Sequence, residues 1–281
     1  MSNHASGPPI VAGVDGSMSA LHAVRWAAAE AARRSVPLRL VHVQPPVGTG
    51  TPDLGQQWLS DADFLARRTA PAVRPDSCVR LGDPATELLA ESRTARLIVA
   101  GARGAGGFSG LALGSVALAL ATGGHCPAVI VRGRPTQSGP VVVGVCGTPR
   151  CQAVLDHAFD QAESRAEPLL AVHAWHPLPA DADIAAAMGI AWTEVEAEQH
   201  DLLTEWLSAG VRRRPGVHVT RVIAAARPAR ALLGHSRFAQ LVVVGCRGRS
   251  PLTGLVLGSV PRALLHHAPC PVLVVRDGHC R

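Results

Sequence analysis

The chain predicts an α/β fold built twice in tandem: two doubly wound, Rossmann-like domains, each with a five-stranded parallel sheet and helices on both faces. Three observations carry this expectation. Short continuous runs of Val, Ile, Leu and Ala alternate with helix-compatible stretches, as parallel strands covered on both faces do. The series occurs twice, with Ile10–Val14 matched by Val141–Val145 at an offset of 131 residues (Ile10 to Val141). A glycine spacing recurs as well: Gly101-Ala-Arg-Gly104, nine residues and Gly114-Ser115, against Gly245-Cys-Arg-Gly248, nine residues and Gly258-Ser259.

In each half the first strand ends in a turn, Asp15-Gly16-Ser17 or Cys146-Gly147-Thr148, and leads into a helix, Ala20–Glu30 or Ala153–Phe159. The second strands, Leu38–Val43 and Leu169–Ala174, keep the same offset. From Gly82–Leu89 and Ala226–Leu233 onward the offset is 144 (Gly82 to Ala226), the extra length falling in the loop Pro177–Gly189 and a longer helix around Trp192 to Trp206. Pro84 and Pro228 stand in the first turn of a helix, where a missing N–H costs nothing. The fourth strands, Leu97–Ala100 and Leu241–Val244, run into the glycine motifs, each followed by a helix. The fifth strands, Ala128–Val131 and Val272–Val275, follow Cys126-Pro and Cys270-Pro and end at Arg132 and Arg276. Residues 133–140 form the linker, which sets expected domains at 1–134 and 139–281.

With 281 residues and 47% apolar content, the chain can bury two ordinary cores. No apolar run reaches the roughly 18 residues of a membrane span, so a soluble, cytoplasmic protein without membrane insertion is expected. Seven cysteines scattered over the chain read as reduced thiols rather than a disulfide framework. Cys146 and Cys151, with His173 and His176 nearby, raise a metal or redox centre, but the spacing matches no zinc ligand set; they are read as structural or incidental, and no metal site is assigned. A net charge of +6 with a pI near 9.4 invites a nucleic-acid partner, yet only Arg212-Arg213-Arg214 cluster, and none is expected. His266-His267 close a helix where their charge complements its dipole, and the tryptophans Trp58, Trp192 and Trp206 read as packing residues.

All 27 basic residues are arginine. Without lysine, a Walker A mechanism is excluded. No nucleophile triad or carboxylate pair recurs in both halves, so no catalytic residue is assigned and any ATP cleavage is expected to be slow. Only Asp15, with Asp83 and Glu87 further off, offers a carboxylate.

The glycine motif has a chemical reading. Between a strand and a helix, backbone N–H groups can reach phosphate oxygens provided no Cβ holds them off or forbids a positive φ. Gly101 and Gly104 supply that freedom, and Ser115 either caps the next helix or turns its hydroxyl to a phosphate. In open parallel sheets such ligands sit where the winding reverses, at the carboxyl ends of strands. Asp15 and the glycine loop fall at such ends.

Together, Gly-x2-Gly-x9-Gly-Ser after strand four, Val14-Asp-Gly-Ser17 after strand one and Val41-His-Val43 in strand two make the chain resemble the universal stress protein family, twice over, as an ATP-binding tandem member. The resemblance implies that Asp15 and Val43 face a nucleoside with Gly13 beside it. It further implies that Gly101, Arg103, Gly104, Gly114, Ser115 and Val116 surround the phosphates. The second half offers Gly144, Ala174, Gly245, Arg247, Gly248, Gly258, Ser259 and Val260, but Cys146 stands at the acidic position and cannot accept hydrogen bonds as a carboxylate does. ATP, with or without Mg²⁺, is the expected ligand, held more weakly in the second half. The fifth strands are expected to pair the halves about a pseudo-twofold axis, with further homodimerisation and a protein partner that reads nucleotide occupancy.

Overall fold

The computed structural model describes residues 7–45, 54–105, 113–132, 138–148, 151–175, 192–246 and 257–276. The first half comprises β1 (Ile10–Val14), α1 (Met18–Arg34), β2 (Leu38–Gln44), α2 (Gly55–Thr69), β3 (Asp76–Leu81), α3 (Pro84–Glu91), β4 (Leu97–Gly101), α4 (Ser115–Gly123) and β5 (Ala128–Val131). The second comprises β6 (Val141–Val145), α5 (Cys151–Arg165), β7 (Leu169–Trp175), α6 (Trp192–Arg213), β8 (Val219–Ala225), α7 (Pro228–Ser236), β9 (Leu241–Gly245), α8 (Ser259–His267) and β10 (Val272–Val275).

All ten strands join one sheet in the order β3-β2-β1-β4-β5-β10-β9-β6-β7-β8. Every pairing is parallel except β5 with β10, where Val129 faces Leu273 antiparallel. Val129 and Leu273 are repeat equivalents, so the pseudo-twofold axis passes between them. The expected pairing of the halves through their fifth strands is therefore what the chain adopts, and it covers two apolar edges that would otherwise invite association.

Each strand sends alternate side chains to opposite faces. On one face Ile10, Leu38, Leu40, Val99 and Val129 pack with α1 and α2, and Val143, Leu169, Leu241 and Leu273 pack with α5 and α6. On the other, Val11, Val41, Ile98 and Ile130 pack with α3 and α4, and Val142, Val172, Val242 and Val274 pack with α7 and α8. Both cores run through the β5–β10 seam without a break. Among the described residues no helix is long and apolar enough to cross a membrane.

Among the described residues, polar contacts tie the halves at two places. At the seam's end the Arg132 guanidinium donates to the Leu265 carbonyl at 3.1 Å, and Arg276 donates to the Thr122 carbonyl, so each half's last arginine holds the closing turn of the other's last helix. Beneath the sheet Glu30 of α1 is fully buried against Arg34, Arg165 and Gln161, at 2.5, 2.8 and 3.0 Å. Arg165 also lies 5.4 Å from the Trp26 ring centroid. Burial pulls the Glu30 pKa up, but Arg165, Arg34 and Arg33 outweigh it and hold it at about 2. For Arg165, burial wins over Glu30 and lowers its pKa to about 10.

Candidate functional site

Between β1 and β4 the strand order reverses direction, and the same reversal lies between β6 and β9. Crevices form at the carboxyl ends of such neighbours. In the first half β1 delivers Asp15 there. Gly16 turns the chain with φ +79°, a conformation glycine adopts without strain, and a Cβ on it would lie 2.5 Å from the Trp58 ring. Ser17 then caps α1, its hydroxyl accepting from Ala20 N–H at 3.1 Å.

Asp15 is tied on both oxygens. The Ser17 N–H and hydroxyl donate to Oδ1 at 3.0 and 2.7 Å, and Ala105 N–H donates to Oδ2 at 3.0 Å. A carboxylate offers about four lone-pair positions, so one remains open to a ligand. The loop after β4 is thereby held against the turn after β1, and Arg103 N–H adds a bond to Ser19 Oγ at 3.3 Å.

The first two glycines of the motif answer to this closure. A Cβ on Gly101 would stand 2.6 Å from Ser19 backbone, and one on Gly104 would stand 2.7 Å from Asp15 Oδ2. Neither residue has a positive φ; close approach, not backbone handedness, requires them. Gly114 differs. Its φ is −67°, and a Cβ there would meet protein at 3.4 Å or more, an ordinary contact. Packing among the described residues gives no reason for glycine at that position.

Gly114 is itself the N-cap of α4, with its N–H bonded to the Ala102 carbonyl at 2.8 Å. Ser115 is the first helical residue, exposed and not a side-chain cap, which removes one of the two roles expected of it. Val43 and Val116 line the core on the α3/α4 side. Gly13 faces the same side, where a Cβ would meet Leu88 at 3.1 Å. Arg103 is exposed at the loop. Burial and, after it, repulsion from Arg103 depress the Arg132 pKa, so two guanidinium groups feel each other beside the loop.

The second half repeats the frame with different chemistry. Cys246 N–H bonds the Val275 carbonyl and Gly258 N–H the Cys246 carbonyl, both at 2.9 Å, as Ala102 and Gly114 do in the first half. Gly245 ends β9, Ser259 begins α8 exposed, and Val260 packs on the core. Gly144 approaches Leu232, where a Cβ would lie at 2.9 Å, and Ala174 pairs with Ala224 between strands. Arg247 and Gly248 lie outside the described residues.

At the turn, the structure corrects one expectation. Cys146 and Cys151 are not two separate thiols but a disulfide, with Cα atoms 6.3 Å apart. The spacing hid it because Cys151 falls at the repeat position of Ala20. The matched histidines are structural: His42 Nδ1 lies 2.8 Å from the Val14 carbonyl and His173 Nδ1 2.9 Å from that of Val145, each ring edge-on to Trp58 or Trp206. Asp83 caps α3, accepting from Thr86 N–H at 2.9 Å. That bond, with a second from the Thr86 hydroxyl, holds its carboxyl below the usual range.

Sequence reading missed Ser19, Ala105 and the Arg132–Leu265 bond.

Comparison with known proteins agrees with this architecture. A family model described as the universal stress protein family matches residues 8–132 and again 138–276. Two universal stress proteins of Mycobacterium tuberculosis are 36% identical to the chain. One match covers 95% of this chain and 97% of the relative, the other 99% of each. In three dimensions the chain is similar to a universal stress protein from Archaeoglobus fulgidus, with TM-score 0.72 and 18% identity over 96% of this chain and 98% of that one. With two matched copies spanning nearly its whole length, the chain belongs to the universal stress protein family.

Proposed function

We propose that the first half binds ATP in the β1/β4 crevice and that occupancy, not turnover, is what partners read. The observation that carries this reading is the Asp15 carboxylate, fixed by Ser17 and Ala105 with one acceptor position left, at the point where the sheet reverses. Asp15 takes a nucleoside hydroxyl beside Gly13 and Val43. Gly101, Arg103, Gly104, Gly114, Ser115 and Val116 surround the phosphates, and an anion there relieves the repulsion between Arg103 and Arg132. Glycine at 114, unexplained by packing among the described residues, leaves room for a phosphate.

The second half, with Gly144, Ala174, Gly245, Arg247, Gly248, Gly258, Ser259 and Val260, binds more weakly because Cys146 replaces the acid. The working units are 1–134 and 139–281, in a cytoplasmic homodimer. Nucleotide released from the denatured protein and identified by mass spectrometry, with calorimetric stoichiometry, tests the reading. One tight adenine nucleotide per chain is expected. Absence of both co-purified nucleotide and calorimetric binding would favour a nucleotide-independent scaffold, and turnover with Mg²⁺ above about one per second would make the protein an ordinary enzyme.

A further inference from the structure

We propose that Cys146 and Cys151 are a reversible redox site that exchanges with a low-molecular-weight thiol, a function beyond nucleotide binding. The pair does not read as a structural staple. It spans a separation of five residues, and the entropy a disulfide removes from the unfolded chain shrinks as the closed loop gets shorter. The same turn closes in the first half without any disulfide, on Asp15, Ser17 and Ala20.

The surroundings suit exchange. Cys146 is half-buried and reachable, whereas Cys151 is 4% exposed at the first residue of α5. The Cys146 N–H donates to Cys151 Sγ at 3.0 Å, and that donor with the helix N-terminus stabilises negative charge on the departing sulfur. Thr148 Oγ1 lies 3.3 Å from Cys146 Sγ. A cavity of about 160 Å³, lined by Gly147, Thr148, Cys151, Gln152, Leu155 and Trp206, borders Cys151 and gives a freed side chain space to turn. Elsewhere burial pushes the Cys126 and Cys270 thiols up to about 12, which leaves them unreactive near neutral pH.

The exchange balances. A thiolate attacks Cys146 Sγ, the Cys146–Cys151 bond breaks, and its electron pair leaves on Cys151 Sγ. A second thiolate attacks the external sulfur of the mixed disulfide and releases Cys146 as thiolate. Both cysteines take protons from water. Two external thiols are oxidised to one disulfide as the protein disulfide is reduced to a dithiol.

The test uses the folded full-length chain carrying Cys280→Ser, equilibrated with mixtures of reduced and oxidised glutathione, quenched with N-ethylmaleimide and mapped by mass spectrometry. The Cys146–Cys151 linkage is expected to give way to two alkylated cysteines in a single two-electron transition across the mixtures, with Cys126 and Cys270 unlabelled throughout. A pair still linked in the most reducing mixture, or still two thiols in the most oxidising one, overturns the proposal. In Cys151→Ala, which places in α5 the residue α1 has at Ala20, oxidised glutathione should attach to Cys146 and be visible as a mass increase on its peptide. Failure of Cys146 to take it up also overturns the proposal, whatever the outcome for nucleotide binding.

Discussion

The turn after β1 and the turn after β6 are the same backbone solved with different chemistry. In the first, a carboxylate gathers donors from its own turn and from the loop after β4, so two distant segments meet on one side chain. In the second, sulfur bonds sulfur within a single turn. A fold this regular therefore leaves its ligand ends free to diverge, because strand pairing and the two cores do not depend on what sits at position 15 or 146. Glycine at 104 follows from that same carboxylate, and glycine at 101 from Ser19 in the helix that follows the turn.

The comparison can be broken most forcefully at the seam, where the halves act together. Glu30→Ala leaves Arg165 buried without its acid and Arg34 with Asp160 alone and should cost about 3–5 kcal/mol, read as one cooperative loss in urea unfolding; separate transitions for the two halves would contradict the shared core. The native Glu30 pKa of about 2 lies below its ordinary 4.5, so its contribution is complete above about pH 4.5 and drains away as pH falls toward 2. Glu30→Gln should flatten the melting temperature over that range.

Next in size is Asp15→Ala. Losing a charged acceptor is worth roughly 1.5–3 kcal/mol, so ATP affinity at the proposed first site should fall about tenfold to a hundredfold in calorimetry, with the second half unaffected. Gly104→Ala should approach that loss, because its methyl meets Asp15 Oδ2. Cys146→Asp should raise second-half affinity by about tenfold, the equivalent of about 1.4 kcal/mol; unchanged affinity would show that the missing acid is not what separates the halves. Smallest is Gly114→Ala, expected to move folding stability by no more than about 0.5 kcal/mol while weakening ATP several-fold.

The repeat made the fold legible. Continuous apolar runs on a constant offset located the strands, and two apolar fifth strands announced the antiparallel join. What was hidden depends on contacts between segments far apart in sequence. Nothing local says that Gly104 lies against Asp15 or Gly101 against Ser19, so the motif's glycines were read as conformational freedom when proximity is their reason. Cys146 and Cys151 were concealed because a spacing of five across a turn is no recognised disulfide signature, and the repeat offers Asp15 and Ala20 as their counterparts. Glu30, Arg34 and Arg165 carry no local sign of burial, because it is a second helix, from the other half, that closes over them.

That cluster also carries a memory of symmetry. Gln161 stands at the repeat position of Glu30 and Arg165 at that of Arg34, so the acid–arginine pair of α1 meets an amide–arginine pair in α5. Two first halves set together in this way would press two carboxylates into one dry space, and two second halves would meet their arginines with Asp160 but without the buried Glu30. The difference between acid and amide thus makes the two helices complementary to one another rather than interchangeable.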